Sequence, residues 1–573
     1  MKRFASIDFL RGFAIFMMLI LHMVSHIIDV DTLTADMSQV KFIELFLMIF
    51  LPFGGGLAGF FLMVSAMGNT VSMEHELQRN TAGNIVATRQ VVGGFILLFF
   101  AMLVEGVIGY HGAVGENIQQ ALMAASNPAA GAHVWSWEVA TWRFNHFETI
   151  HTIAWAIIIN GLIHGILSSK EKYRDKNKLI RTYIIMAIVV LILTPVIWEL
   201  IKLISPAYPA HLGTYYDSYP RIGADPFGRF VAVFFLQPLA GYPEPLFPYL
   251  AASFVGTIFG IFLTMPKEQR KVKLFTKTTL RIGVIMYLIG LVGLVANIIY
   301  VINTKGFDAG LDVYMHIWDH RGWVPELRGT PWLGWYFQFM ILNGMGILII
   351  MSMLRLVELR GKAKAFGDKT RFIRRFGFVA FTNYTIQFVY YIAAFIAVDW
   401  VFGNIYGPGV ALWKETILTI FLGIGMMYLI NILWEKLRFA GSLEWMVKQC
   451  NYLLNPVRRR VLREKGIKWY QAGLLNVKGA LYNADWVNIV EADEIDHAKG
   501  EESILAKKLA QVGIVFPFYG YVAYLIARRA RKTEGDTKEN KTALKWSTVI
   551  VILITIMIIS FFFLTPATFG ISM

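Results

Sequence analysis

Apolar residues fall in long runs separated by short polar clusters, and the runs set the elements. An α-helix needs about 17–25 apolar residues to cross a hydrocarbon core roughly 30 Å thick. Ten such runs fill the first three quarters of the chain, near 7–28, 42–68, 88–110, 147–168, 180–204, 246–264, 279–302, 332–356, 376–400 and 410–434. A last one lies near 546–564. The stretch 509–527 is apolar too, but Pro517 and Gly520 interrupt it, and Lys507, Lys508, Arg528, Arg529, Arg531 and Lys532 flank it. A crossing there would leave a strongly basic loop outside, so a re-entrant or interfacial segment is expected. The pattern predicts an all-α, polytopic integral membrane helical bundle of about 11 transmembrane helices, a 10-helix core plus a C-terminal extension. Twelve crossings is the competing count. The expected organisation is a membrane core over 1–436, a cytoplasmic insert over 437–508, and a membrane-associated segment with the last helix over 509–573. No internal repeat of the transporter type is visible.

Composition agrees with a lipid solvent. Apolar residues make up 56% and charged residues 16%, against about 45–50% and about 25% in a soluble domain. That excludes a soluble enzyme, a disordered chain and a nucleic-acid-binding module. The single cysteine, Cys450, excludes an intramolecular disulfide, a cysteine-based zinc site and an iron–sulfur cluster.

The net charge of +15 is read first as topology. Loops 170–181, 267–281 and 355–375 hold 20 Lys and Arg, whereas the three long loops 111–146, 205–245 and 303–331 hold six. The N-terminus is therefore expected in the cytoplasm and the long loops outside. Lys2 and Arg3 ahead of the first run have the look of a signal peptide. The run is too long for one, contains Asp8 and Arg11, and lacks a small-residue cleavage site, so a retained first helix is expected. Together these features predict a multi-pass plasma-membrane protein with membrane lipids as its constant partner. The oligomeric state stays open, a homodimer included.

Charges inside a span are costly and mark function by default. The first run reads Ser6-Ile7-Asp8-Phe9-Leu10-Arg11-Gly12, then apolar residues, then His22 and His26. Arg11 and His22 are 11 residues apart, within about 20° of three full helical turns and about 16 Å along the axis. Asp8 and His26 extend the same stripe. A guanidinium can fork to phosphate oxygens, and an imidazole can serve as general base or acyl carrier. The structural alternative is an Arg11 that anchors the helix and pairs with Asp8, with His22 a hydrogen-bonded packing residue.

Nine of the twelve histidines, among them His111, His133, His146, His151, His316 and His320, fall at expected outer helix ends or loops. Glu148 and His151 are neighbours at the start of the fourth span. With Asp319 and His320 they are candidates for orienting an acceptor. His316-x3-His320 has metal-ligand spacing, but no third ligand is fixed and no metal is expected. Gly54-Gly-Gly-Leu-Ala-Gly59 matches the dinucleotide pattern formally; it sits in a span with no preceding strand and reads as close helix contact. Asn383, Tyr384 and Gln387 are interhelical glue or pocket lining.

These residues also point to a family. Ser6-Ile-Asp8-Phe-Leu-Arg11-Gly12 followed by His22 resembles the opening helix of the transmembrane acyltransferase superfamily. The Asp-x-x-Arg-Gly opening looks most like the branch of heparan-α-glucosaminide N-acetyltransferase and its bacterial relatives. Phe60-Phe61-Leu-Met-Val-Ser65, Pro245-Leu-Phe-Pro248 with Gly256 and Gly260, Phe381-Thr382-Asn383-Tyr384-Thr-Ile-Gln387 and Gly441-Ser442-Leu443-Glu444-Trp445 are similar to its later motifs. Ser442 stands where the family often has Pro.

The resemblance covers roughly 4–450 and has no counterpart beyond. It implies an acyltransferase moving an acyl group, typically acetyl from acetyl-CoA, to an extracytoplasmic sugar hydroxyl or amine. Carried over, His22 is the acyl-transfer histidine, with His26, His151 and Glu148 as further catalytic candidates. Arg11, with Asp8, Asn383 and Gln387, falls on the donor side. The animal enzyme's catalytic histidine lies farther along, and no His occurs between 27 and 74 here, so His22 or His26 must serve. The rival class is a transporter or flippase using the same polar residues as a proton relay. A third is a structural or sensor protein that uses 435–545 as a partner surface.

Overall fold

The computed structural model describes residues 2–27, 57–126, 131–143, 147–204, 223, 225–240, 244–307, 309–310, 314, 334–399, 413–468, 474–491, 500–514 and 517–563. The apolar runs become helices: α1 (Ala5–Ile27), α2 (Leu57–Gln78), α3 (Gly83–Leu103), α4 (Ala113–Ser126), α5 (Glu138–Arg143), α6 (Thr149–Ser168), α7 (Lys176–Ile204), α8 (Phe227–Ala240), α9 (Leu246–Thr264), α10 (Val272–Lys305) and α11 (Gly334–Leu356). Then come α12 (Ala363–Lys369), α13 (Arg371–Phe378), α14 (Ala380–Thr385), α15 (Val389–Ala393), α16 (Trp413–Lys436), α17 (Leu443–Leu454), α18 (Pro456–Glu464), α19 (Glu501–Gly513), α20 (Pro517–Thr533) and α21 (Lys538–Phe563).

Among the described residues eight helices are long and apolar enough to cross a membrane: α1, α3, α6, α7, α9, α10, α11 and α16. Their outward faces are apolar, as on α7 and α10, where Ile185, Ile188, Ile192, Ile285, Leu288 and Val292 are exposed. Such a surface belongs in lipid rather than water. Three expected runs are not among the eight. The first part of 42–68 lies outside the described residues, and α2 continues to Gln78. The last run falls on α21, whose side chains past Ile556 also lie outside them.

The third, 376–400, is not one helix. It is cut into α13, α14, α15 and a π-helical segment Ala394–Asp399. The chain leaves helical geometry at Val379 (φ −125°, ψ 53°) and turns again through Ile386–Phe388. Polar side chains at 382, 383 and 387 bond outside the helix, which is the competition that interrupts one.

The chain divides into two compact units, one of 1–29, 50–355 and 364–487, the other of 30–49, 356–363 and 488–573. The boundary at 487 divides the expected insert 437–508. In the first unit α3 packs on α6, α9 on α2 and α7, and α1 on α13 and α2. Small residues set two of these crossings. A Cβ on Gly256 of α9 would fall 2.2 Å from the Met63 carbonyl of α2. A Cβ on Gly12 of α1 would fall 2.1 Å from the Ile373 carbonyl of α13, and one on Gly377 would fall 2.4 Å from the Gly12 nitrogen. The Gly of the Asp-x-x-Arg-Gly opening is thus the contact point of α1 with the broken segment. Lys2–Arg3 (β1) pairs parallel with Asp485–Trp486 (β2), in register Lys2 to Asp485.

In the second unit α19 and α20 pack side by side through Leu505, Leu509, Tyr519 and Ala523, and α21 joins through Ala543. The stretch 509–527 is therefore split between two helices rather than forming one rod. Glu534 caps α19 by accepting the Glu502 and Ser503 backbone N–H groups at 2.8 Å each. Buried Glu502 pairs with Arg360 at 3.0 Å and Arg529 at 3.3 Å.

Candidate functional site

His22, near the end of α1, meets the broken segment. Its Nδ1 lies 2.7 Å from Gln387 Oε1. A carboxamide oxygen only accepts, so Nδ1 carries the proton and Nε2 is left as the basic nitrogen. The Tyr110 ring stacks on the imidazole at 5.8 Å between centroids. Tyr390 donates to the Tyr110 hydroxyl at 3.0 Å, and the Tyr391 ring lies parallel to that of Tyr110 at 6.4 Å. These tyrosines are buried with Leu19, Met23, Phe376 and Met427. Gln387 is fully buried, and its Nε2 has no hydrogen-bond partner among the described residues. His26 lies on the last turn of α1, where side chains are outside the described residues.

The whole Thr-Asn-Tyr-x-x-Gln motif acts as a junction. Thr382 Oγ1 donates to Glu444 at 2.5 Å and accepts the Leu443 N–H at 3.0 Å. Asn383 donates to the Phe376 carbonyl and accepts from Asn431, both at 3.0 Å. Tyr384 donates to Glu105 at 2.8 Å. Gln387 holds His22. Glu444 also accepts the Phe381 N–H at 2.7 Å, so the two late sequence motifs satisfy one another. Burial pushes the Glu444 carboxyl above its ordinary range, against the pull of those hydrogen bonds. Ser442, in the place where Pro was expected, caps α17 by accepting the Trp445 N–H at 3.1 Å. Asn383 is thus interhelical glue, and Gln387 supports the imidazole.

At the other end of α1, both Asp8 oxygens accept from Arg3 at 2.8 Å. Asp8 is therefore Arg3's partner and not Arg11's. Arg11 forms no hydrogen bond or ion pair among the described residues. Its Nη2 lies against Gly68, where a Cβ would be 2.7 Å away. Nearby, Arg374 donates to the Gly367 carbonyl at 2.7 Å and to the Ala480 carbonyl, with its guanidinium 4.4 Å over the Trp486 ring. Burial pushes Arg374 down to about 10. Arg375 binds Glu435 at 2.8 Å and the Tyr482 hydroxyl at 3.0 Å. Residues 475–486 are thereby tied to α13 and belong to this end of the bundle.

A third polar group surrounds Glu148 and His151. His151 Nδ1 accepts the Glu148 backbone N–H at 3.2 Å, closing a capping box on α6, and its buried Nε2 has no partner among the described residues. This imidazole caps a helix, whereas that of His22 faces the tyrosines. Glu105, Glu244 and Arg143 act electrostatically on Glu148. Thr149 donates to Glu244 at 2.7 Å. Glu105 lies in a π-helical segment, Val104–Ile108, a geometry common at functional sites.

Glu105 and Tyr110 were readable as an acidic residue inside an apolar run and a tyrosine at its end. Arg143, Tyr390 and Tyr391 carry no local signal. His133 holds Asn117 at 2.9 Å. His146, His316, Asp319 and His320 lie outside the described residues. Among the described residues no three His, Cys, Asp or Glu side chains are placed to hold a metal ion.

A His–Gln pair joins a helix long and apolar enough to cross a membrane to the broken segment, and Arg11 lies three turns away on that helix. Over residues 3–117 the chain is similar to the family described as "Heparan-alpha-glucosaminide N-acetyltransferase, catalytic". That segment contains Asp8, Arg11, His22, Glu105 and Tyr110. No curated protein and no solved structure matches the chain.

Proposed function

We propose that this protein is a membrane-embedded acetyltransferase that moves an acetyl group from acetyl-CoA to a sugar or glycan hydroxyl or amine on the extracytoplasmic side. The observation that carries the reading is the His22–Gln387 pair on the helix that opens the family match. Gln387 fixes the tautomer, so His22 Nε2 takes the acceptor's proton as the acceptor oxygen or nitrogen attacks the thioester carbonyl. The new acyl bond forms as the carbon–sulfur bond breaks, and the proton on His22 is passed to the leaving thiolate. Arg11 is the donor contact, on the cytoplasmic side with the basic loops.

Detergent-purified protein is incubated with radiolabelled acetyl-CoA, and bound label and released thiol are followed beside His22→Ala and Arg11→Ala. Thiol release lost with His22→Ala supports the reading. Full activity in that variant removes His22 from the mechanism, and no donor binding at high micromolar concentration removes acetyl-CoA. The break at Gln387 favours a second reading, since transporters place ligands at interrupted helices. Substrate flux without thiol release establishes that second reading instead.

A further inference from the structure

Three helices of the second unit, α19, α20 and α21, meet at two levels. At one, Gly513, Gly520 and Ile550 touch. A Cβ on Gly513 would fall 2.6 Å from the Gly520 nitrogen, and one on Gly520 would fall 2.4 Å from the Ile550 side chain. At the other, Ala506, Ala527 and Ala543 are buried together. The two levels are seven residues apart on every helix, which is two turns or about 10 Å.

The levels differ in what surrounds them. Among the described residues, the exposed side chains within two residues of the glycine level are Val512, Ile514, Tyr521, Val549 and Ile552, with Gln511 the one polar member. Within two residues of the alanine level they are Lys508, Arg528, Lys541 and Lys545, with Ile504 and Leu525. No acid occurs in that range on any of the three helices. Trp546 is exposed between the levels, next to Lys545.

The acids begin about a turn farther from the glycines, and most are engaged. Glu502 pairs with Arg360 and Arg529. Glu534 caps α19. Asp536 pairs with Arg531 at 2.8 Å, and Glu539 lies 3.9 Å from Lys507. Glu501 stands in the first turn of α19. Lys508, Arg528, Lys541 and Lys545 form no ion pair among the described residues; Arg528 lies 5.8 Å over the Tyr524 ring.

An apolar level, then a cationic ring, then balanced charge pairs is the depth profile of a leaflet: hydrocarbon, phosphate, water. The depths agree. The headgroup zone is about 5–8 Å deep on each side. Lys508 and Lys545 each lie five residues from the glycine level, or about 7.5 Å. With that level at the edge of the hydrocarbon, both ammonium groups fall among phosphates, and the Trp546 ring takes the boundary position that suits it. A zwitterionic headgroup brings its own cation to the phosphate. An anionic one leaves that charge to the protein.

We propose that the ring of Lys508, Arg528, Lys541 and Lys545 binds the headgroups of anionic phospholipids, with the Gly513–Gly520 end of the three helices seated in the hydrocarbon beneath them. The site lies wholly in the second unit and is independent of the acetyltransferase reading.

The full chain, with Cys450→Ser and a bimane label on Val549→Cys, is placed in phosphatidylcholine nanodiscs at physiological salt. A small fraction of the lipid is brominated in its acyl chains, as phosphatidylglycerol or as phosphatidylcholine, and quenching of the bimane reports which lipid gathers there. Phosphatidylglycerol should quench more at equal fraction. Lys508→Gln with Lys545→Gln should lower that preference by about fivefold for each cation removed. Lys508→Arg with Lys545→Arg should keep it, which excludes misfolding as the cause. Lys532→Gln with Lys538→Gln removes the same net charge twelve residues from the glycine level, or about 18 Å. That is beyond the ring by more than the Debye length of about 8 Å, so the preference should hold.

Equal quenching by the two lipids in the chain with its ring intact overturns the proposal. Equal losses in the two Gln pairs assign the effect to net charge and overturn the ring. Absence of quenching by either lipid puts the glycine level outside the bilayer and overturns the seating.

Discussion

Gln387 makes one strong hydrogen bond, and it goes to His22, the proposed base. Losing it should leave donor binding intact and lower turnover, because the imidazole loses its tautomer and its orientation. Gln387→Ala is expected to reduce kcat about 10- to 100-fold, the worth of one good hydrogen bond to a group that becomes charged. KM should stay near its wild-type value; an equal rise in KM would make Gln387 a binding residue instead. Glu444 offers a pH signature. Its carboxyl is raised above the ordinary value of 4.5 by burial, so the folded state holds the proton more tightly than the unfolded chain. Stability from this group is present below that ordinary value and is lost as pH rises through the raised one. Unfolding midpoints of the wild type should fall across that window relative to those of Glu444→Gln. Parallel curves would show that Glu444 titrates normally.

At the scale of elements, the crossings are set by small residues and the interruptions by polar ones. Gly377→Val drives a side chain into the backbone of α1 and should cost at least about 1–3 kcal/mol, the range for overpacking, read as a lower thermal midpoint in detergent. A second pin joins α2, α6 and α7: Glu74 accepts from Lys176 at 2.8 Å and lies 3.0 Å from His164, whose Nδ1 is 3.2 Å from the Tyr183 hydroxyl. Glu74→Ala leaves a partly buried lysine and a buried His164 without their carboxylate and should destabilise by about 3–5 kcal/mol. A loss below about 1 kcal/mol would mean that the network is wet.

These elements also mark how far the sequence was readable. Among the described residues, eight apolar runs became helices long and apolar enough to span, because length and hydropathy are read directly from the runs. The break in 376–400 was hidden, since Thr382, Asn383 and Gln387 look like ordinary glue until their partners at 444, 431 and 22 are known. The pairing of Asp8 with Arg3 rather than Arg11 was likewise invisible, because both cations are within reach along the chain.

For the molecule as a whole, the uneven distribution of Lys and Arg predicts loop 170–181 on the cytoplasmic side. Lys172→Cys in a Cys450→Ser background should react with an impermeant maleimide only after the membrane is opened. Labelling of intact cells would invert the orientation and place the donor on the other side. The helix that carries Asp8, Arg11 and His22 was legible from its apolar run alone. The tyrosine surround and the part of 437–487 tied to α13 were not, because long-range contacts leave no periodic trace.

The separation of His22 and Gln387, 365 residues, has a consequence for biosynthesis. At ribosomal speeds of about 5–20 residues per second, α1 waits roughly 20–70 s between its own emergence and that of its partner. Throughout that interval it resides in the bilayer with His22 lacking its Gln387 partner. Truncated nascent chains that stop short of Gln387 should therefore be the ones most readily taken by the cell's membrane quality-control proteases. The last third of translation decides whether the first helix survives.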